Sequence, residues 1–216
     1  MVVQEELHVA ILAAGQGTRM RSALPKVLHR AAGMPLLGHV LSTARSLRPT
    51  SITVVVGDLS GQVSQFIGDT TEISVVEQRQ QLGTGHALLQ TESVLSGRSG
   101  TLLLLSGDVP LLRADLLTEL ASRRASRQAA AVLLTARFDD PYGYGRVVRR
   151  NDQVVRVVEE RDASPEVKLI REINAGVYAF DLDPLFAALK SIAPENAQGE
   201  YYLTDLIAIY NDRGLL

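Results

Sequence analysis

The feature that most constrains this fold is a glycine-rich turn at residues 15–17, Gly-Gln-Gly, placed directly after an apolar run. The run covers residues 7–12 and has the length and composition of a buried strand, so the glycines fall where that strand ends. Gly15 and Gly17 lack a β-carbon, and consecutive backbone N–H groups can therefore converge there on one anion. A buried strand that ends in such a turn predicts a phosphate-binding loop.

Two basic residues, Arg19 and Lys26, follow this turn. A chain of phosphates needs backbone amide donors combined with fixed cations, and these two residues supply the cations. A dinucleotide-binding G-x-G-x-x-G pattern would need glycine where Met20 stands, and no Gly-Lys-Ser/Thr follows to complete a P-loop. The glycines alone fit an ordinary strand-to-helix turn equally well, whereas the added arginine and lysine favour phosphate.

This stretch, residues 12–28, resembles the signature loop of the sugar-nucleotide pyrophosphorylases. The sequence Leu-Pro-Lys-Val-Leu-His at 24–29 is similar to the members of that family that act on N-acetylglucosamine 1-phosphate, and six separated blocks extend the resemblance over residues 9–210. The resemblance implies a uridylyltransferase that makes UDP-N-acetylglucosamine and pyrophosphate from two small molecules, UTP and N-acetylglucosamine 1-phosphate, with magnesium as cofactor. Two alternatives stay open: another sugar-1-phosphate nucleotidyltransferase with a different base or sugar, and a UDP-sugar-binding domain with little turnover.

Composition narrows the class of protein. The 216 residues carry 22 Lys+Arg against 24 Asp+Glu, a net charge of −2, so the basic excess typical of a nucleic-acid partner is missing. No apolar run approaches the ~20 residues of a membrane span, and the first residues lack the pattern of a signal peptide, which predicts a cytoplasmic protein without a membrane partner. With no cysteine and four scattered histidines, any metal is expected to have oxygen ligands.

Strand-like and helix-like stretches alternate along the first two thirds of the chain. Apolar, β-branched runs predict strands at 52–57, 73–76 and 101–105, and helical periodicity predicts helices between them, including one helix through 87–95. This alternation predicts an α/β fold: a Rossmann-like, doubly wound, mostly parallel but mixed sheet covered by helices on both faces.

The character of the sequence changes after the strand predicted at 130–136. Short apolar runs and a turn at Asn151-Asp152 predict a small antiparallel lobe for binding the sugar. We therefore expect a single nucleotidyltransferase domain over 1–216, with a nucleotide-binding half at about 1–136 and a sugar-binding half at about 137–216.

The predicted strand at 73–76 runs into a segment rich in glutamine and glycine. The side-chain amide of Gln78 can both donate and accept, as the edge of a pyrimidine base requires, and glycine beside Thr84 permits a close approach. The resemblance implies that Gln78, Gly83 and Thr84 hold uracil. Read from the residues alone, Thr84 fits a helix N-cap or a turn at least as well.

Ser106-Gly107-Asp108 directly follow the most apolar predicted strand. Ligands of open α/β sheets bind outside the carboxyl ends of the strands, which is where this segment would lie. Because magnesium prefers one or two carboxylates together with phosphate oxygens and water, Asp108 is the candidate metal ligand. The alternative for Asp108 is a plain Gly-Asp turn at the end of a strand.

The resemblance also assigns roles at this edge. It implies that Arg19 and Lys26 are catalytic, with Arg19 stabilising the departing pyrophosphate and Lys26 the α-phosphate. The family usually has tyrosine where Ser106 stands, a departure that alters a contact near the nucleotide without removing the metal ligand. The implied nucleotide-binding residues are Leu12, Ala13, Ala14, Gly15, Lys26, Gln78, Gly83, Thr84, Ser106, Gly107 and Asp108.

An N-acetylated sugar presents hydroxyl groups and an amide, so its site needs carboxylate acceptors, an amide and a close backbone. The resemblance assigns these parts to Glu159, Asn174 and Gly145; the alternatives are a solvated charge for Glu159 and a turn for Asn174. The family commonly has lysine where Arg161 stands, which would replace a point charge with a planar fork. Thr204 is predicted to cap the helix that follows it.

Two features of the family would follow position 216. They are an asparagine that serves as a second metal ligand and a hexapeptide-repeat acetyltransferase domain through which full-length members trimerise. The resemblance therefore predicts that the chain is truncated at its C-terminal end.

Overall fold

The structure, a computed structural model, describes residues 5–15, 17, 20–57 and 60–215. Strands within these ranges form a central eight-stranded sheet and a separate two-stranded one. They are β1 (Leu7–Ala13), β2 (Arg30–Ala31), β3 (Met34–Pro35), β4 (Ser51–Val56), β5 (Ile73–Glu77), β6 (Thr101–Ser106), β7 (Ala131–Arg137), β8 (Arg146–Arg150), β9 (Gln153–Val158) and β10 (Glu172–Asp181).

The central sheet is parallel in its first part and antiparallel in its second. Strand β1 pairs in parallel with β4 and β6, and β4 pairs in parallel with β5. Strand β10 then runs antiparallel beside β6 and also pairs with β7 and β8, while β8 and β9 form an antiparallel hairpin. The predicted α/β fold with a mixed sheet is confirmed.

Helices cover both faces of this sheet. They are a 3₁₀ turn (Lys26–Leu28), α1 (Leu36–Ser46), α2 (Ser60–Ile67), α3 (Thr84–Leu89), α4 (Glu92–Leu95), α5 (Ala114–Arg127), α6 (Pro165–Lys168), α7 (Leu182–Leu189) and α8 (Asp205–Asp212). One core packs α1, α2 and α5 against Val9 and Ile11 of β1, and the other packs α3, α7 and α8 against Ala10 of the same strand. This alternation of faces is the doubly wound arrangement.

The prediction of one helix through 87–95 is wrong, because α3 ends at Leu89 and α4 begins at Glu92. Between them lies Thr91, which is fully buried and whose hydroxyl donates to the Leu88 carbonyl at 2.7 Å. The Thr91 backbone N–H also bonds to Leu88, three residues back instead of four. A side chain that competes for a helical carbonyl disturbs the regular α pattern, which explains the break.

Within the described ranges, the structure contains no helix of the length and apolar character that crossing a membrane would require.

Gly100, just before β6, makes a close contact that only glycine permits. Its φ is +106°, and a β-carbon there would lie 2.2 Å from the carbonyl oxygen of Glu6. We expect Gly100→Ala to lower the free energy of unfolding by about 3 kcal/mol or more, through backbone strain and steric overlap together. Urea denaturation measures this loss.

Gly97 offers a matched control in the same loop. Its φ is +76°, but a β-carbon there would meet no atom within 4 Å. Gly97→Ala should therefore lower the free energy of unfolding through backbone strain alone, by about 1 kcal/mol. Equal losses in the two variants would contradict the role given to the Glu6 contact.

Candidate active site

The ends of β1, β5 and β6 lie at one edge of the sheet. In the parallel register Leu12 lies opposite Ser106, and Val56 lies opposite Glu77. The backbone N–H of Gly107 donates to the Leu12 carbonyl at 2.9 Å, which joins the first loop to the segment after β6. The loops that follow these strands therefore meet at the carboxyl edge, where an open α/β sheet binds its ligands.

Lys26 and Asp108 form an ion pair at this edge. Lys26 begins the 3₁₀ turn, and Asp108 lies just beyond β6; their side chains are 39% and 25% exposed. Gly17 approaches Lys26 closely, because with φ +60° a β-carbon at this position would lie 2.6 Å from Cβ of Lys26. The predicted phosphate-binding lysine and the predicted metal ligand thus lie side by side. The other predicted catalytic residue, Arg19, lies outside the described residues.

The metal ligands at this edge suit an ion that binds together with phosphate. Among the described residues, no three His, Asp or Glu side chains cluster closely enough to hold a metal ion by themselves. Asp108 supplies a single, partly exposed carboxylate. Because Mg²⁺ is commonly held by one or two carboxylates plus phosphate oxygens and water, Asp108 fits that ion when a nucleotide supplies the remaining ligands.

Gln78 lies inside the loop that follows β5. It is 3% exposed, and its side-chain nitrogen donates to the Gly83 carbonyl at 3.0 Å and lies 3.0 Å from Nδ1 of His86. These contacts order the loop around the predicted base-binding residues. Gln78 and Gly83 are therefore neighbours, as the predicted base site requires, and the amide nitrogen is engaged within the protein.

Thr84 is the first residue of α3 and not its N-cap, which is Gly83. Its hydroxyl accepts a hydrogen bond from the backbone N–H of Leu203 at 3.2 Å. Next to it, the Gly85 N–H donates to the Tyr201 carbonyl at 2.8 Å. We call residues 196–204 the connecting segment, and these bonds, made by Tyr201 and Leu203, fix it to the predicted base-binding loop.

Gln81 is a site residue that the sequence analysis missed. Its side-chain nitrogen donates to the carbonyl of Ala14 at 2.8 Å, which ties the loop after β5 to the glycine-rich loop after β1. The only local signal is its place in a run of glutamines, and a run of this kind does not identify which member makes a long-range contact.

The three predicted sugar-binding residues lie together. The backbone N–H of Asn174 donates to the Gly145 carbonyl at 2.9 Å, and a β-carbon on Gly145 would lie 3.3 Å from Oε1 of Glu159. The Asn174 side-chain oxygen accepts from the N–H of Gly176 at 3.0 Å, and a β-carbon on Gly176 would lie 3.9 Å from Oγ of Ser106. This group therefore adjoins the end of β6.

Burial raises the pKa of Glu159, and a hydrogen bond from Thr204 partly opposes that increase. The Thr204 hydroxyl donates to Oε1 of Glu159 at 3.1 Å. The predicted cap is wrong in this respect: α8 does begin after Thr204, but the threonine side chain makes no capping bond. Its hydroxyl donates instead to the carboxylate of Glu159, which directly follows β9.

Arg146 is a second residue whose role the sequence analysis missed. It is 2% exposed, its Nη2 donates to Oε2 of Glu160 at 2.7 Å, and its Nη1 donates to the Tyr144 carbonyl. The same carboxylate oxygen accepts from the Gly143 N–H at 3.2 Å. The buried arginine thus braces the turn that carries the Gly145 backbone. The sequence did carry a signal for this role, since an arginine that is buried beside the two valines of β8 needs an acceptor.

The chain is similar to known proteins over most of its length. The sequence profile described as MobA-like NTP transferase domain matches residues 9–177. A protein named Bifunctional protein GlmU from Pelotomaculum thermopropionicum is 50% identical over 211 residues, which cover 97% of this chain and 46% of that protein. The protein of the same name from Levilactobacillus brevis is 47% identical over 208 residues, covering 96% and 45%. This chain spans about half the length of the curated relatives it matches.

Solved structures support the fold. A UDP-glucose pyrophosphorylase complexed with UDP-glucose superposes with a TM-score of 0.81 at 18% identity, covering 96% of this chain and 88% of that one. A putative glucose-1-phosphate thymidylyltransferase from Bacillus anthracis gives a TM-score of 0.80 at 22% identity, covering 97% and 85%. At these identities the similarity concerns the architecture of the chain.

Proposed function

Since the chain belongs to the MobA-like NTP transferase domain family, we propose that it transfers a uridylyl group from UTP to N-acetylglucosamine 1-phosphate. The products are UDP-N-acetylglucosamine and pyrophosphate. The proposal is supported by relatives at 47–50% identity that carry the name Bifunctional protein GlmU. Both substrates are small soluble molecules, and we propose a cytoplasmic location for the reaction.

One observation carries the proposal: the pairing of Lys26 with Asp108 at the carboxyl edge of the sheet. A cation and a carboxylate side by side beside a glycine-rich loop suit a nucleoside triphosphate with its magnesium ion, since the cation contacts phosphate and the carboxylate contacts the metal. For the sugar, Glu159 then offers a hydrogen-bond acceptor, Asn174 an amide, and Gly145 a backbone that can be approached closely.

The chemistry needs no general base. A phosphate oxygen of the sugar phosphate is already an anion when it attacks the α-phosphorus of UTP, and the bond to the bridging oxygen of pyrophosphate breaks as the new P–O bond forms. Catalysis is then mainly a matter of positioning and charge neutralisation. Lys26 would neutralise the α-phosphate, and Arg19 the departing pyrophosphate. Magnesium held by Asp108 would act as a Lewis acid and would orient the phosphates.

The remaining roles follow the same proposal. Gln78, Gly83 and Thr84 would hold uracil, and the loops after β1 and β6 would hold the ribose and phosphates. We assign the nucleotide to the half at about 1–136 and the sugar to the half at about 137–216. The single sheet that spans both halves supports a fixed distance between the two subsites.

A substrate panel tests the proposal. Pyrophosphate release is measured with UTP, CTP, GTP and dTTP, each paired with N-acetylglucosamine 1-phosphate or glucose 1-phosphate. We expect kcat/KM for UTP with N-acetylglucosamine 1-phosphate to exceed every other pair by at least about tenfold, because a site built to bond the acetamido group leaves its polar atoms unpaired without it. A different best pair would point to another sugar-1-phosphate nucleotidyltransferase, and tight UDP-sugar binding without turnover would point to a binding domain.

A further inference from the structure

The connecting segment links the predicted base subsite at Thr84 to the predicted sugar subsite at Glu159. Its first part is held by Asp162, whose Oδ1 accepts from the Ala197 N–H at 2.8 Å, and by Asn196, whose side chain bonds within the segment. Its middle is fixed to the base loop through Tyr201. At its last residue, Thr204, the segment reaches the carboxylate that we assign to the sugar.

The hydrogen bond from Thr204 to Glu159 matters because Glu159 is surrounded by acidic groups. Burial raises the pKa of Glu159, and three neighbouring carboxylates raise it further. Its charged and titratable neighbours come from four directions: Asp162 beyond β9, Glu200 and Tyr202 on the connecting segment, Asp205 on α8, and Tyr178 on β10. Against these acidic groups stands a hydrogen bond from Thr204, itself only 4% exposed.

We propose that Thr204 is a positioning residue for sugar recognition, whose hydroxyl fixes Oε1 of Glu159 and leaves Oε2 to accept a hydroxyl of the sugar. The inference rests on the proposed function for the identity of the ligand, but not for the contact itself. The Thr204 hydroxyl donates to a carboxylate that lies 45 residues away in the sequence, so the contact is specific to the tertiary fold.

Loss of this donor has a predictable sign. A hydrogen bond to the charged form of a carboxylate favours that form, so its removal raises the pKa of Glu159. Sugar binding needs the ionised carboxylate as an acceptor and weakens as the pH falls through that pKa. Without the Thr204 hydroxyl, the weakening therefore begins at a higher pH.

The test uses Thr204→Val, which keeps the shape and removes the donor, beside Thr204→Ser, which keeps the donor. Thr118→Val is the matched control, because the Thr118 hydroxyl bonds to the Ala114 carbonyl on the exposed face of α5. The first readout is the ¹³C shift of the Glu159 carboxyl against pH in the unliganded protein. We expect its pKa to rise in Thr204→Val and to stay near the wild-type value in the other two variants.

The second readout is steady-state kinetics. In Thr204→Val we expect KM for the sugar phosphate to rise about tenfold, as for a lost hydrogen bond to a charged group, while KM for UTP stays within about twofold. The acid limb of kcat/KM for the sugar phosphate should move to higher pH. Thr204→Ser should restore both. Melting temperatures establish that each variant is folded, and Thr204→Ala replaces the valine variant if that one does not fold.

The possible outcomes test the positioning role of Thr204 and the proposed sugar site separately. An unchanged Glu159 pKa in Thr204→Val would overturn the positioning role of Thr204, whatever the kinetics. A raised pKa with unchanged sugar-phosphate KM would keep the contact but remove Glu159 from the sugar site, which counts against the proposed function. A raised pKa together with a sugar-specific rise in KM supports both.

Discussion

Replacing Asp108 with asparagine is expected to lower kcat for pyrophosphate release by about 10³-fold or more, without unfolding the protein. Asparagine keeps the shape but removes the negative charge through which Asp108 would hold magnesium, and the charge stabilisation that the ion supplies to a phosphoryl transition state is worth several kcal/mol. Initial rates at saturating substrates and several magnesium concentrations measure the loss.

The stability of the same variant should change little. Lys26 and Asp108 are both partly exposed, and ion pairs of this kind contribute about 1 kcal/mol or less. Asp115→Asn is the matched control, since Asp115 forms an ion pair with Arg113 at the exposed start of α5. The control should keep wild-type kcat. An Asp108→Asn variant that keeps more than a tenth of wild-type kcat would remove Asp108 from the proposed metal site.

Replacing Lys26 with methionine should lower kcat by about 10²-fold or more. Methionine keeps an unbranched apolar stem against Gly17 and loses only the ammonium group, so the loop retains its packing. The effect is expected mainly in kcat, because Lys26 is proposed to meet charge that develops at the α-phosphate in the transition state. Kinetics with varied UTP at saturating sugar phosphate separate kcat from KM.

Arg123 provides the comparison for this variant. It also pairs with a carboxylate, Glu119, and both side chains are exposed on α5. Arg123→Met should leave kcat and both KM values unchanged. If Lys26→Met raised KM for UTP and left kcat intact, Lys26 would serve ground-state binding alone, and the catalytic role would be wrong.

The parallel half of the fold was accessible from sequence because its signals are local. An apolar run such as 101–105, bounded by turn residues, predicts a buried strand, and alternation with helices predicts parallel pairing. The carboxyl edge then follows from strand direction alone, which is why Gly15, Gln78 and Asp108 were expected at the same edge.

The contacts between distant segments were not accessible in the same way. Strand β10 lies antiparallel beside β6, and no local pattern specifies that partner. The hydroxyl of Thr204 satisfies the pattern of a helix cap, yet in the fold a buried carboxylate lies within its reach. Thr84 shows the same limit, since its bond to Leu203 joins residues 119 positions apart. In both cases the tertiary fold, and not the local sequence, decides which partner the threonine hydroxyl bonds.

The buried arginine illustrates a signal that was readable but was not used. Arg146 follows Gly-Tyr-Gly and directly precedes the two valines of β8, and a guanidinium that is buried beside them needs carboxylate or carbonyl partners. Adjacent glutamates at 159 and 160 offered two candidates. The structure pairs the arginine with Glu160 and leaves Glu159 beside Thr204.

The most direct test of the central claim follows the oxygen atoms. The 216-residue chain is incubated with magnesium, UTP and N-acetylglucosamine 1-phosphate labelled with ¹⁸O in its phosphate group, and the products are weighed by mass spectrometry. Direct attack of the sugar phosphate on the α-phosphorus predicts UDP-N-acetylglucosamine that retains every labelled oxygen, together with unlabelled pyrophosphate. Labelled pyrophosphate, or no UDP-N-acetylglucosamine at all, would contradict the account.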